Sequence, residues 1–466
     1  MSFADLPLDT SIAPKIQKFV DENFDHCLKD LVELVSIPGI AWPAFDPKEL
    51  ERSADKVAAL LRELDFFDWV EIRKAPKPSG ELGAPAVLAR RAGAPERPHV
   101  LLYAHHDVQP PGDSDLWNSE PFEAKLVGDR LYGRGASDDK SGIVTHLYSI
   151  KALMAMADNI DLGITVFIEG EEEAGSESFE NFLQQNKKDL EADIIVVADS
   201  GNWTEDTPAL TTSLRGVVSQ TFTVSTMDHA VHSGMFGGPL PDAMTAMVKL
   251  LATLTDDNGN VAIKGLKSVS VDDLPYSEEV FREQAGLLEG VKPLGSKGLL
   301  QHNWGEPAVT IIGIDAPTVA LSSNTAQPQI TARVSLRIAP GERPEDALEL
   351  LRKHLLDNAP FGAHVEFGHT EKGPGYLAKF GWASQIAHQS FSAFWPNPSV
   401  NIGIGGSIPF IATFTELFPD AEILVTGVEE PDSRAHSPNE SQHLPTLKRA
   451  IAAQALLLIH GNQLTR

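Results

Sequence analysis

The sequence predicts an α/β protein, a sheet layered with helices, with a smaller two-layer α+β domain inserted into it. Three observations lead there. The apolar runs at Val100–Ala104 (VLLYA), Gly163–Ile168 (GITVFI) and Asp193–Ala198 (DIIVVA) read as strands covered on both faces. Strand and helix signals alternate along this part of the chain, the mark of a sheet sandwiched by helices. Near Leu214 the character changes, because Val217–Thr226 (VVSQTFTVST) alternates apolar and polar residues like a strand with one wet face. The 466 residues also exceed one ordinary core, so two domains are expected.

In chain order, Ile12, Ile16, Phe19, Val20, Phe24, Leu28, Leu31, Val32 and Val35 form a stripe of helical period. A second helix follows over Pro47–Leu64, then strand-like Val70–Arg73 and Ala86–Arg90. The strand Val100–Ala104 exits into His105-His106-Asp107-Val108-Gln109-Pro110, at the end where α/β sheets gather ligands. A hairpin is expected at Glu123–Gly133, and Asp138-Asp139 then opens a helix to about Ala157. The strand Gly163–Ile168 runs into Glu169-Gly170-Glu171-Glu172-Glu173, and Asp193–Ala198 ends in Asp199-Ser200-Gly201.

For the inserted domain the pattern predicts a helix over Asp242–Thr255, an irregular region, and strands at Val309–Ile314 and Ile330–Ile338. An amphipathic helix over Arg343–Asn358 and an edge strand at Val365–Phe367 complete it. The chain returns to the first domain around Gly373-Pro374-Gly375, with a helix over 377–394, a turn at Gly405-Gly406-Ser407, a strand Glu422–Val425 and a helix Leu444–Leu458. The expected division is therefore 1–213 and 374–466 for the first domain and 214–373 for the insert.

Composition narrows the function. With 38 basic and 65 acidic residues the formal charge is −27, which speaks against nucleic acid or an anionic membrane as partner. No apolar run approaches a membrane span and the N-terminus shows no secretory pattern, so a cytoplasmic protein is expected. The one cysteine, Cys27, lies on the stripe of the first helix and reads as a buried small hydrophobe, leaving no thiolate cluster or internal disulfide.

His105, Asp107, Asp138, Asp139, Glu172, Glu173, Asp199, His232 and His436 all fall at expected strand ends or turns. Singly each has a plain structural reading: Asp138-Asp139 as an acidic helix cap, Glu171 to Glu173 as a solvated run, Asp199 as a turn cap. Together, imidazoles and carboxylates without cysteine are the ligand set of a zinc, manganese or cobalt site. Two metals need about six or seven ligand positions, and one carboxylate can bridge them.

Four stretches carry a resemblance: YAHHDVQP at Tyr103–Pro110, GRGASDDK at Gly133–Lys140, EGEEEAGS at Glu169–Ser176 and AHSPNE at Ala435–Glu440. They resemble the signatures of the di-zinc aminoacylase/dipeptidase/carboxypeptidase family, metallopeptidase family twenty. Val231-His232-Ser233-Gly234 and Gly405-Gly406-Ser407-Ile408-Pro409 are similar to its carnosinase-like dipeptidase branch. The resemblance implies a mixed-sheet α/β/α catalytic domain with an inserted lid and dimerisation domain. It also implies two divalent ions per chain, Zn²⁺ or Mn²⁺. His105, Asp138 and Asp199 would hold one ion, and Asp138, Glu173 and His436 the other, with the Asp138–Asp139 peptide bond cis. Asp107 would orient the His105 ring. Glu172 would be the general base, activating a metal-bridging water. His232 would reach into the partner subunit's site of a homodimer to stabilise the oxyanion. Arg337 and Ser407 would bind substrate; Arg337 reads equally as a solvated basic residue.

Three positions depart from the family pattern. Ala104 stands for a glycine before the histidine, Gly403-Ile404 for Arg-Glu, and Arg434 for a small residue before Ala-His. The last two bear on specificity, not on the metal ligands. The expected activity is hydrolysis of dipeptides or short peptides with a free N-terminus. An N-acyl-amino-acid amidohydrolase with the same metals is the alternative. A non-catalytic dimeric binding protein would require damage to the ligand set, and none is visible.

Overall fold

The computed structural model describes residues 9–406 and 409–465. The chain forms two compact units. The larger comprises Met1–Thr212, Ala378–Ile402 and Thr413–Arg466, the smaller Ser213–Leu377 and Gly403–Ala412.

The sheet of the larger unit runs Trp69–Arg73, Ala86–Arg91, Gly163–Glu169, His99–His105, Ile194–Val197, Glu422–Val425, Ala209–Leu214. Its central strands are parallel, whereas Ala86–Arg91 pairs antiparallel with Gly163–Glu169, which makes the sheet mixed as expected. Every residue of His99–His105 and Gly163–Glu169 is buried, in keeping with their near-continuous apolar sequence.

The first helix, Ala13–Val35, buries Ile16, Val20, Phe24, Cys27, Leu31 and Leu34 on one stripe. Truncating one such side chain to alanine costs about 2–5 kcal/mol. Pro47–Glu63 starts on Asp46, whose side chain accepts the Lys48 N–H at 3.0 Å, with proline in the first turn. Lys140–Met156 and Leu444–Gln463 have apolar residues on nearly every face and lie in the core accordingly. The last helix runs five residues past the expected end at Leu458, through the less apolar His460-Gly461-Asn462-Gln463. Among the described residues, no helix is long and apolar enough to cross a membrane.

The smaller unit has a four-stranded antiparallel sheet in the order Ala308–Asp315, Gln329–Ile338, Gly216–Ser225, His364–Gly373. Along Gln329–Ile338, Ile330, Ala332, Val334, Leu336 and Ile338 are buried while most intervening residues are half-buried. Ala243–Ala252 and Pro344–Asp357 supply Met247, Leu250 and Leu351 to the same core. The result is the two-layer α+β arrangement expected from the alternation.

Three expectations change in detail. The edge strand at Val365–Phe367 extends to His364–Gly373, because its backbone ladder continues past a register shift into polar sequence. The segment 377–394 is a short strand, Tyr376–Leu377, then a helix Trp382–Ser392 whose first turn is held by Glu422 accepting the Ala383 and Ser384 N–H groups. Within the region read as irregular, Glu278–Ala285 is helical, capped by Ser277 and closed by Gly286 at φ 62°.

One buried group predicts a pH response. His146, in the helix Lys140–Met156, lies 2.9 Å from the Tyr103 carbonyl through Nε2 and 2.9 Å from the Gln454 amide through Nδ1. It is fully buried, and burial pushes the imidazole down to about 4 from 6.5. Above pH 6.5 folded and unfolded chains both carry it neutral. As pH falls from there towards 4 only the unfolded chain takes up the proton, so stability drops, by about 3 kcal/mol in all. Urea unfolding of the wild type and His146→Gln across this window checks it; equal pH slopes would remove His146 as the cause.

Candidate metal centre

Three strand exits meet because His99–His105 lies between Gly163–Glu169 and Ile194–Val197, all parallel. His105 is opposite Glu169, and Tyr103 opposite Val197, so Asp199 comes level with His105. Glu172 and Glu173 follow in the short helical turn Glu172–Ala174. From the other side come the turn before Lys140, carrying Asp138, and the turn before Ser441, carrying His436.

Asp138 joins the two halves. Its Oδ1 is 3.0 Å from His105 Nε2 and its Oδ2 3.0 Å from His436 Nε2. His105 Nε2 is also 3.9 Å from Asp199 Oδ1, and His436 Nε2 is 3.1 Å from Glu173 Oε2. Ligand atoms of His105, Asp138 and Asp199 lie within 4.8 Å of one another, as do those of Asp138, Glu173 and His436. In a third such group, Glu205, Glu430 and Asp432, two of the three carboxylates already meet a cation of the chain: Arg130 donates to Glu430 at 2.7 Å and to Glu205 at 2.8 Å.

The charges around the centre are those of a cation site. Burial alone would raise Asp138, but hydrogen bonds from His105 and His436 outweigh it and hold the carboxyl below its ordinary range. His436, hydrogen-bonded to Asp138 and Glu173, is pushed up to about 10, and burial raises Asp199 and Asp139 well above a normal aspartate. Two imidazoles thus stand among carboxylates that demand positive charge. Nitrogen and oxygen donors without thiolates suit zinc or manganese, so the residues fit the metals their sequence implied.

The supporting residues are specific. The Asp107 carboxylate accepts the backbone N–H groups of Glu172 and Glu173, each at 3.1 Å. The His105 ring is nearer to the Asp107 main-chain oxygen, at 3.1 Å, than to its carboxylate, at 3.5 Å. Asp107 therefore ties two strand exits together as well as facing the ring it was expected to orient. Gln109 donates to Glu173 Oε2 at 2.7 Å. Fully buried Glu440 accepts Arg134 at 2.6 Å and the N–H groups of Gly135, Ser137 and Asp138 at 3.0 to 3.1 Å, and so fixes the turn that presents Asp138. The Asp138–Asp139 bond is cis, and a Cβ at Gly142 would collide with the Asp139 carboxylate. Glu172 is half-buried and burial pushes it up to about 7, where a carboxyl exchanges protons at neutral pH. Gln109 and Glu440 lie inside the recognised stretches, yet their partners are 64 and about 300 residues away, which no local signal reveals.

His232 and Arg337 belong to the smaller unit. His232 is exposed and its Nδ1 accepts the Gly234 N–H at 3.0 Å, leaving the proton on Nε2. Arg337 is half-buried on the face opposite the core, in electrostatic reach of Arg215, which burial and Arg337 bring down to about 10. Ser407 lies outside the described residues. His106 is buried with Nε2 2.8 Å from the Pro85 carbonyl, a structural role.

Comparison with known proteins extends these observations. Residues 101–460 match peptidase family M20/M25/M40. The chain is 31% identical over 460 residues to a cysteinylglycine-S-conjugate dipeptidase of Corynebacterium striatum, covering 94% of this chain and 96% of the relative. It is 26% identical over 460 residues to the beta-Ala-His dipeptidase of Rattus norvegicus, with 93% and 92% covered. Human carnosine dipeptidase 1 shares the fold with a TM-score of 0.73 at 24% identity, over 98% of this chain and 100% of that one. The match extends through all four signature stretches and through Asp199, and the chain belongs to peptidase family M20/M25/M40, hydrolases of peptide bonds.

Proposed function

We propose that this chain is a metallodipeptidase, hydrolysing dipeptides or short peptides with a free N-terminus. The observation that carries the reading is Asp138, each of whose carboxylate oxygens faces a different imidazole, with Glu172 beside them. Named relatives along nearly the whole chain are dipeptidases, which supports the substrate class.

Two divalent ions, Zn²⁺ or Mn²⁺, would be held by His105, Asp138 and Asp199 on one side and by Asp138, Glu173 and His436 on the other. When bound they supply the Lewis-acid charge that polarises a scissile carbonyl and acidifies water. Glu172 takes the proton of the attacking water and passes it to the leaving amine. Asp107 holds Glu172 in place through its backbone N–H. Arg337 receives the substrate carboxylate, for which a guanidinium fork is suited. His232 of the partner subunit donates its Nε2–H to the developing oxyanion, the tautomer that the Gly234 N–H favours.

The homodimer is part of this reading. Among the described residues Ala308–Asp315 is an edge strand paired on one side only, with Ile311, Ile312 and Ile314 exposed at 46%, 51% and 43%, and such an apolar edge is a template for a second chain. The proposed cytoplasmic address is in keeping with a single, buried cysteine.

The deciding experiment is initial-rate hydrolysis by chelator-stripped protein, before and after adding Zn²⁺ or Mn²⁺, of free dipeptides, their N-acetylated forms and N-acyl amino acids. Metal-restored cleavage of free dipeptides is expected. Cleavage of the acylated substrates alone would replace the reading with the amidohydrolase, and no turnover with metal bound would end both.

A further inference from the structure

Glu429 is a carboxylate of the same centre that no step above uses. Its backbone is pinned beside the Asp199 exit: its carbonyl accepts the Asn202 N–H at 2.8 Å and the Asn202 side-chain amide at 3.1 Å, and it bridges to Gly201. Its side chain faces the opposite turn, where Ser137 Oγ, one residue before Asp138, donates to Oε1 at 3.1 Å. Among the described residues Oε2 takes no hydrogen bond and no lysine or arginine pairs with the carboxylate, and the residue is half-buried, not sealed.

Burial, and after it repulsion by Asp138 and Glu440, raises the Glu429 carboxyl above the usual range, against the Ser137 hydrogen bond and the attraction of His436. A carboxylate crowded by like charge and left with an open oxygen gains most from an arriving cation. The metal-ligand groups above do not include it. A substrate with a free N-terminus brings the cation required, an ammonium whose N–H donors match a carboxylate acceptor.

We propose that Glu429 receives the N-terminal ammonium of the substrate and so decides for free dipeptides over N-acylated ones. The inference rests on the dipeptidase reading and adds to it the residue that reads the amine.

The test compares kcat/KM of the metal-loaded wild type, Glu429→Gln and Glu429→Asp on three substrates with one leaving residue: an alanyl dipeptide, its N-acetyl form and the propionyl analogue that lacks only the amine. Metal content per chain is measured alongside. Glu429→Gln is expected to lose ~10–10²-fold on the alanyl dipeptide, mainly through KM, as for one charge-assisted contact. It should act on the propionyl analogue like the wild type and keep its full metal content. Glu429→Asp should show a smaller loss, again on the free dipeptide alone. Equal losses on all three substrates, or a lower metal content, would overturn the proposal in favour of a structural or metal-holding role. A wild-type preference for the free amine that persists in Glu429→Gln overturns this inference alone. A wild type with no such preference overturns the dipeptidase reading and this inference with it.

Discussion

Glu172→Gln is expected to keep its metal and lose at least ~10²-fold in kcat, the scale of a positioned general base. The substitution preserves the shape of the side chain and leaves the Glu172 N–H on Asp107 undisturbed. The ligands His105, Asp138, Asp199, Glu173 and His436 are not touched, so metal analysis should match the wild type. What is removed is a carboxyl that burial holds near pH 7, able to take a proton from water and release it to an amine within one turnover. Unchanged kcat would sink the mechanism. The same variant tests the dimer. Mixed and re-dimerised with His232→Ala, also inactive on this reading, it should regain activity, because one site of each mixed dimer combines an intact Glu172 with an intact His232 of the partner subunit. Failure to recover in dimers shown to be mixed would remove the shared site while leaving the base in place.

Asp138→Ala should lose both ions and all measurable turnover. No other side chain stands in both ligand groups, so its loss breaks each of them. Removing a residue that only orients a ligand costs about 10–100-fold in metal affinity, and removing a shared ligand should exceed that. Competitive titration of the apo protein with a chromophoric chelator reads the effect without reference to activity. The fold should survive, because Glu440 holds this turn through backbone N–H groups that alanine retains. Two ions bound with wild-type affinity would show that Asp138 is not the bridge.

The helices and strands were legible wherever side chains repeat with the period of the backbone. The stripe from Ile16 to Val35, the buried run at Val100–Ala104 and the alternation at Ile330–Ile338 each appear in the structure within a residue or two of their expected limits. Short elements were not, among them Ser441–His443, which pairs with Arg130–Tyr132, and Val400–Ile404. Three to five residues carry too little periodicity to separate a strand from a loop, and only the distant pairing partner makes them strands.

For the candidate site the sequence by itself supplied the residue types and their positions at strand exits, and with them the family. Only the tertiary structure decided which of them meet: Asp138 and His436 are separated by nearly 300 residues yet stand 3.0 Å apart. It also placed Asp107 on the Glu172 and Glu173 backbone, Gln109 on Glu173, and Glu440 under the Asp138 turn. The reason is physical. Side-chain direction within an element follows from local backbone geometry and is written in the periodicity. Which strands lie side by side, and which turns close over them, is fixed by burial of the whole core, to which residues far apart in the chain contribute together.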